Sequence, residues 1–257
     1  MVKGVYNFMK ITSVNNDLVK EVAKLQQRKY REESGMFLLE GEKCVQEAIE
    51  YGIQIKHLFF LEGSNNFDFN DSIETNEAVL SKISTTTSSP KVVGVAKQLK
   101  REWKKDFKKV VLLENIKDAG NLGTILRSCC AFDVDAIILY GDTIDLYNPK
   151  CVRASVGNLW KVPVFNIKSF NELEKLCKDF HPIATLPKNK NSIWLKDFKS
   201  QAKSLIMFGT ESSGLSDELI YYAQNKGSAV TIEMSETVES LNLSISAGII
   251  LYKLFNK

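Results

Sequence analysis

A chain of 257 residues with 44% hydrophobic and 25% charged content and a formal net charge of +3 has room for one large domain or two modest ones. These values exclude a disordered, collagenous or coiled-coil chain. The longest apolar stretches, such as Val110–Leu113 and Ala136–Tyr140, fall far short of the roughly 20 residues that span a bilayer. Met1–Lys10 has no basic segment followed by an apolar core, so no secretory signal is expected. Five cysteines, odd in number and without CxxC spacing, suit reduced thiols, and with only His57 and His181 no His/Cys metal set can be assembled. The expectation is a cytoplasmic, metal-free, non-membrane protein.

In chain order, helical spacing of apolar residues marks Leu18–Gln27 and Gly41–Tyr51, while Ile55–Leu61 and Lys91–Ala96 read as short strands. A Ser/Thr stretch without periodicity lies between these two runs, at Ser81–Pro90. Then comes Lys97–Lys109, with seven basic residues against Glu102 and Asp106, and with Trp103 and Phe107 interleaved. The composition therefore divides the chain into a small α/β domain (1–96), a basic linker (97–108) and a larger domain (109–257). The linker cations Lys100, Arg101, Lys104 and Lys105, and a second knot at Arg28, Lys29 and Arg31, fit a solvated surface and a nucleic-acid-facing one equally well.

Beyond the linker, strand-like runs at Val110–Leu113, Ala136–Tyr140, Val162–Ile167, Ile183–Leu186, Leu205–Phe208 and Ala229–Ile232 alternate with helical patterns near Leu122–Phe132, Phe170–Phe180 and Asp217–Asn225. Such alternation predicts an α/β fold with a parallel sheet covered on both faces. Ligands of these sheets gather beyond the carboxyl ends of the strands, so functional residues are expected just after Leu113, Leu186, Phe208 and Ile232. The final segment, Ser240–Phe255, is apolar almost all round at helical spacing. That pattern suits a helix buried on two sides, within the fold or at a subunit interface.

Three strand-to-loop transitions hold the unusual residues. The first, Leu113–Arg127, carries a Gly/Asn turn before a helix with Arg127 two turns on from Asn121. In the second, Leu205–Ser216, GxxxxG follows a strand, but Leu215 stands where a P-loop needs its phosphate-binding lysine, which excludes nucleotide triphosphate hydrolysis. The third, Ile232–Ser244, is a strand end and polar loop in which Ser240 and Asn242 are also candidate helix caps. No GxGxxG follows a strand, so a dinucleotide fold lacks its signature.

Together and in this order, NLGTILR (121–127), FGTESSGLS (208–216) and IEMSETVESLNLSIS (232–246) resemble the three motifs of the SpoU/TrmH-type RNA 2′-O-ribose methyltransferases of the SPOUT class. Asn148–Gly157 is similar to a further segment of that family, and Lys24–Glu42 resembles the N-terminal substrate-binding domain of its ribosomal-RNA members. Ala119 stands where the family has proline, and Glu233 and Glu236 replace the usual Pro and Gly beside Met234. These exchanges alter loop stiffness and remove no polar group that the chemistry needs.

The resemblance implies a deep trefoil knot in the C-terminal domain, S-adenosyl-L-methionine as methyl donor without a metal, a homodimer and an RNA substrate. It assigns Gly209, Ile232, Leu241, Met234 and Leu186 to the donor pocket, and Arg127, Asn121, Glu211, Ser240 and Asn242 to the reacting centre. Ribosomal RNA is favoured by the N-terminal domain. The alternatives are a transfer-RNA 2′-O-methyltransferase and an RNA-binding assembly factor.

Overall fold

A computed structural model describes residues 9–64, 67, 69, 72–188, 192–199, 201–210, 212–238 and 240–255. The chain forms two compact units, one comprising residues up to Leu99 together with Asp145–Gly157, the other Lys100–Ile144 and Asn158 onward.

The first unit is built on a five-stranded sheet of β1 (Met9–Ile11), β2 (Met36–Glu40), β3 (Ile55–Leu61), β4 (Ser72–Thr75) and β5 (Val92–Lys97), in the order β1-β4-β3-β5-β2. Parallel pairs β1/β4 and β3/β4 meet antiparallel pairs β3/β5 and β2/β5. Its helices are α1 (Asp17–Lys24), α2 (Arg28–Ser34), α3 (Glu42–Glu50) and α4 (Glu77–Ile83). The helix expected to run to Gln27 ends at Lys24, and α2 starts anew at Arg28. Asn16 and Asn76 begin α1 and α4 by accepting the N–H of Leu18 and Val79, which satisfies donors a helix start leaves open. Phe37, Leu38 and Leu39 are all buried along β2, as are Leu58, Phe59 and Phe60 along β3. Such continuous apolar runs show that both faces of the sheet are covered.

The second unit starts with β6 (Lys109–Glu114), α5 (Ala119–Ala131) and β7 (Ala136–Tyr140). The chain then returns to the first unit for Asp145–Gly157, which carries α6 (Pro149–Ser155). Two ion pairs inside that unit hold the returning segment. Arg31 donates to Asp145 at 2.6 Å with both side chains largely buried, and Arg153 reaches the buried carboxylate of Glu40. The sequence carries no sign of this return, because the partners lie more than a hundred residues apart.

The remaining elements are β8 (Val164–Ile167), α7 (Phe170–Leu176), β9 (His181–Thr185), β10 (Ile193–Trp194), β11 (Ser204–Phe208), α8 (Asp217–Lys226), β12 (Ser228–Thr231) and α9 (Leu243–Phe255). They complete a seven-stranded, wholly parallel sheet in the order β10-β12-β9-β11-β6-β7-β8. Val110, Leu112, Leu205 and Met207 pack with Leu173 of α7 and Leu219 of α8 on one face. Trp103 and Phe107 of the basic run turn inward to the same core, and Trp103 meets Phe107, Phe165 and Phe180 edge-on. The aromatic residues are therefore packing groups, while Lys100, Arg101, Lys104 and Lys105 stay exposed. No helix among the described residues is long and apolar enough to cross a membrane.

Candidate active site

Because β12, β9 and β11 are neighbours, the loops at their carboxyl ends meet although they are far apart in sequence. They form a cleft of about 350 Å³ walled by residues 185–187, 208–210, 212–214, 230–232 and 234, and closed by Ser240, Leu241 and the first turns of α9. All five residues assigned to a donor pocket, Gly209, Ile232, Leu241, Met234 and Leu186, line it. So does Ser240.

The wall from β11 is a tight loop. Thr210 and Gly214 exchange two backbone hydrogen bonds of 3.1 and 3.0 Å. A Cβ on Gly209 would overlap the backbone of Gly214 and Leu215, and Gly214 has φ +69°, a conformation glycine adopts without strain. Thr210 Oγ1 lies 2.7 Å from Ser213 Oγ and accepts the Ser213 N–H. Thr185 donates to the Met207 carbonyl at 2.9 Å and ties β9 to β11 below the cleft. The result is an apolar slot edged by hydroxyl and backbone groups, which suits a neutral heteroaromatic ring with a polar tail.

Asn242 joins the motifs. Its Oδ1 accepts the N–H and the hydroxyl of Ser244 at 2.9 and 2.6 Å, which caps α9, while its Nδ2 donates to Asn121 Oδ1 at 3.1 Å. Asn121 sits in the first turn of α5, where its N–H donates to the N-cap Asp118. Asn242 therefore both caps α9 and contacts Asn121.

Arg127 is exposed on α5. Six residues carry it about 9 Å along the helix and off the face of Asn121. Asn121 therefore meets Asn242 rather than the guanidinium. Glu211 lies outside the described residues. Among the described residues no group of three or more His, Cys, Asp or Glu is placed to hold a metal ion.

The candidate RNA contacts divide. Arg31 is 1% exposed, and its guanidinium is committed to Asp145 and to the Leu25 carbonyl. It is a structural residue and not a phosphate contact, because burial leaves it nothing to offer a ligand. Arg28 and Lys29 are exposed but pair with Glu32 and Glu33 on the next turn of α2. Lys100, Lys104 and Lys105 project from the second unit, and Arg101 donates to the Trp160 carbonyl.

Sequence reasoning did not single out Thr185, Thr210, Ser213 or Ser246, which also line the cleft. Only the strand order, which no periodicity reveals, brings them there.

The SpoU rRNA Methylase family matches residues 108–252, and the MRM3-like substrate binding domain matches residues 16–94. The chain is 32% identical to an uncharacterized tRNA/rRNA methyltransferase of Synechocystis over 95% of its own length and 92% of that protein. It is 26% identical to a 23S rRNA guanosine 2′-O-methyltransferase of Bacillus subtilis, over 95% and 98% of the two chains. Among solved structures, an AdoMet-bound rRNA methyltransferase from Sinorhizobium meliloti superposes with a TM-score of 0.81 at 27% identity, covering 96% of this chain and 97% of that one.

Proposed function

The chain belongs to the SpoU rRNA methylase family, and from that premise we propose that it transfers the methyl group of S-adenosylmethionine to a ribose 2′-hydroxyl of ribosomal RNA. The observation that carries this reading is the cleft at the ends of β12, β9 and β11, where the five residues assigned to the donor line one cavity beside the Asn242–Asn121 hydrogen bond. The glycine-tight wall and apolar lining fit the adenosine of the donor, and no charge is needed to hold that neutral part.

When bound, S-adenosylmethionine supplies a methyl group already activated by its sulfonium. The residues of this chain then have to align and to manage charge. In this reading Gly209 and the backbone at Ile232 and Leu241 hold the adenine, with Leu186 and Met234 closing on it. Asn121 and Asn242 fix α5 against the start of α9, and Ser240 and Glu211 are assigned to the reacting centre. Arg127 presents a planar guanidinium with a fork of N–H donors. Its role is to orient a substrate phosphate and steady the developing alkoxide through paired N–H donors.

The first unit carries the RNA-binding task through exposed cations that include Arg28 and Lys29, and the run Lys100, Arg101, Lys104 and Lys105 extends it into the second unit. The second unit is the knotted methyltransferase domain of the SPOUT class. A second copy of the chain covers the exposed apolar stripe Ile245, Ile249 and Tyr252 on α9, which are 54%, 39% and 58% exposed and follow helical spacing. The five free cysteines suit a reducing cytoplasm.

The test is methylation of ribosomal RNA from cells lacking the gene, with labelled donor and ribose-methylation mapping. One ribose gaining a methyl group in vitro, and losing it on deletion in vivo, is the expected result. Labelled transfer RNA with unlabelled ribosomal RNA would overturn the substrate, and no transfer to any RNA would overturn the reaction.

A further inference from the structure

Glu114 ends β6 with a carboxylate in a residue only 4% exposed, and a charge buried in that way needs hydrogen-bond donors. Its Oε2 accepts the backbone N–H of Ser216 at 2.7 Å. Ser216 is the N-cap of α8, yet its own side chain makes no capping hydrogen bond. The start of α8 is thus tied down by a side chain 102 residues upstream, and the helix dipole favours the negative charge beside it.

The direction of Glu114 is itself built in. The next residue, Asn115, has φ +52°, a left-handed conformation that asparagine tolerates better than most residues. Asn115 donates its N–H to the Tyr140 carbonyl at 2.9 Å, and its side-chain oxygen accepts the Asp142 N–H at 2.8 Å. Gly141 lacks the Cβ that would overlap that oxygen. These contacts turn the chain out of β6 and leave the Glu114 carboxylate inside.

The loop 208–216 is pinned at one end by the Thr210–Gly214 pair and at the other by buried Leu215 and by Ser216 on Glu114. Gly209, Thr210 and Ser212–Gly214 line the cleft, and Glu114 does not. We propose that Glu114 is a positioning residue for methyl-donor binding, which acts by holding the Ser216 N–H so that the 209–214 wall keeps its shape. This rests on the reading of the cleft as the donor site.

The experiment compares donor affinity by calorimetry with amide hydrogen exchange over 209–216 in Glu114→Leu, Glu114→Gln and Ser216→Pro. Glu114→Leu removes the acceptor at similar size, whereas Glu114→Gln keeps a carbonyl oxygen there. Ser216 has φ −64°, which proline matches while removing the N–H.

Loss of a hydrogen bond to a charged group predicts about tenfold weaker donor binding and faster exchange over 209–216 in Glu114→Leu and Ser216→Pro. Glu114→Gln should stay within about twofold, and the Leu/Pro double variant should be no worse than either single, because both break one bond. Native affinity in Glu114→Leu, additive losses in the double variant, or faster exchange across the whole second unit would overturn the assignment. If Glu114→Leu does not fold, Ser216→Pro against Glu114→Gln decides. If the native protein binds no S-adenosylmethionine, the donor reading fails, and the exchange data alone judge the anchor.

Discussion

In the first unit, distant stretches of chain are joined by buried charges, Arg31 to Asp145 and Glu40 to Arg153. In the second, the strand ends are shaped by neutral or backbone contacts, Gly209 against Gly214 and Asn242 to Asn121, and by the Glu114 carboxylate on the backbone N–H of Ser216. A buried ion pair tolerates no truncation, since the surviving partner is left charged and unsolvated, but it asks little of the surrounding backbone. The strand-end devices do the reverse. They leave room for a ligand between rigid walls, so their sensitivity is steric and local. One unit is thus built to hold its chain together, the other to hold a cavity open.

Removing one partner of the buried pair should have the largest effect. Arg31→Ala is expected to lower the stability of the first unit by about 3–5 kcal/mol, read by urea denaturation, with donor affinity kept in the folded fraction. A loss under about 1 kcal/mol, the level of a surface pair, would erase the contrast between the two units. Gly209→Ala should follow. The atoms in its way are backbone, and overpacking of that kind costs about 1–3 kcal/mol, read here as weaker donor binding with first-unit unfolding unchanged. Unaltered affinity would mean that the wall yields and the cavity is not rigid.

Asn242→Ala removes the α9 cap and the link to Asn121, with an expected loss of about 0.5–2 kcal/mol in second-unit stability and a larger fall in turnover than in donor affinity. Equal falls in both would reduce Asn242 to a cap. The smallest effect concerns His181, whose Nε2 lies 2.9 Å from Ser228 Oγ and whose pKa burial pushes below the usual histidine value. A lowered folded pKa means that the unfolded chain binds the proton more readily. The contribution of His181 is therefore present above about pH 6.5 and is lost as pH falls toward the lowered value. Thermal melts of the native protein and His181→Gln at pH 7.5 and 5.5 should show a slightly steeper decline in the native protein.

Much of the second sheet was legible in the sequence because strands buried on both faces are continuous apolar runs. β6, β7, β9, β11 and β12 stand within two residues of the runs that predicted them. β10, only Ile193–Trp194, is too short to carry a pattern, and α6 offers too few turns to show periodicity. The motifs in 121–127, 208–216 and 232–246 were readable through their resemblance to a family, and one cleft is lined by all five residues that the resemblance assigns to the donor. Arg31 was misread because a basic knot looks solvated until Asp145 is placed beside it. Glu114 and Thr185 act through strand register, which residue order does not encode locally.

The return of Asp145–Gly157 to the first unit bears on how the protein is made. Chains are synthesised from the amino end, and domains generally fold as they emerge. Here the first unit lacks the partners of Arg31 and Glu40 until Arg153 has been added, by which point β6, α5 and β7 have already been synthesised. Completion of the first unit must therefore wait while β6 and β7, two neighbouring strands of the second sheet, are displayed unfinished. The same layout means that no single cut in the chain releases either unit whole.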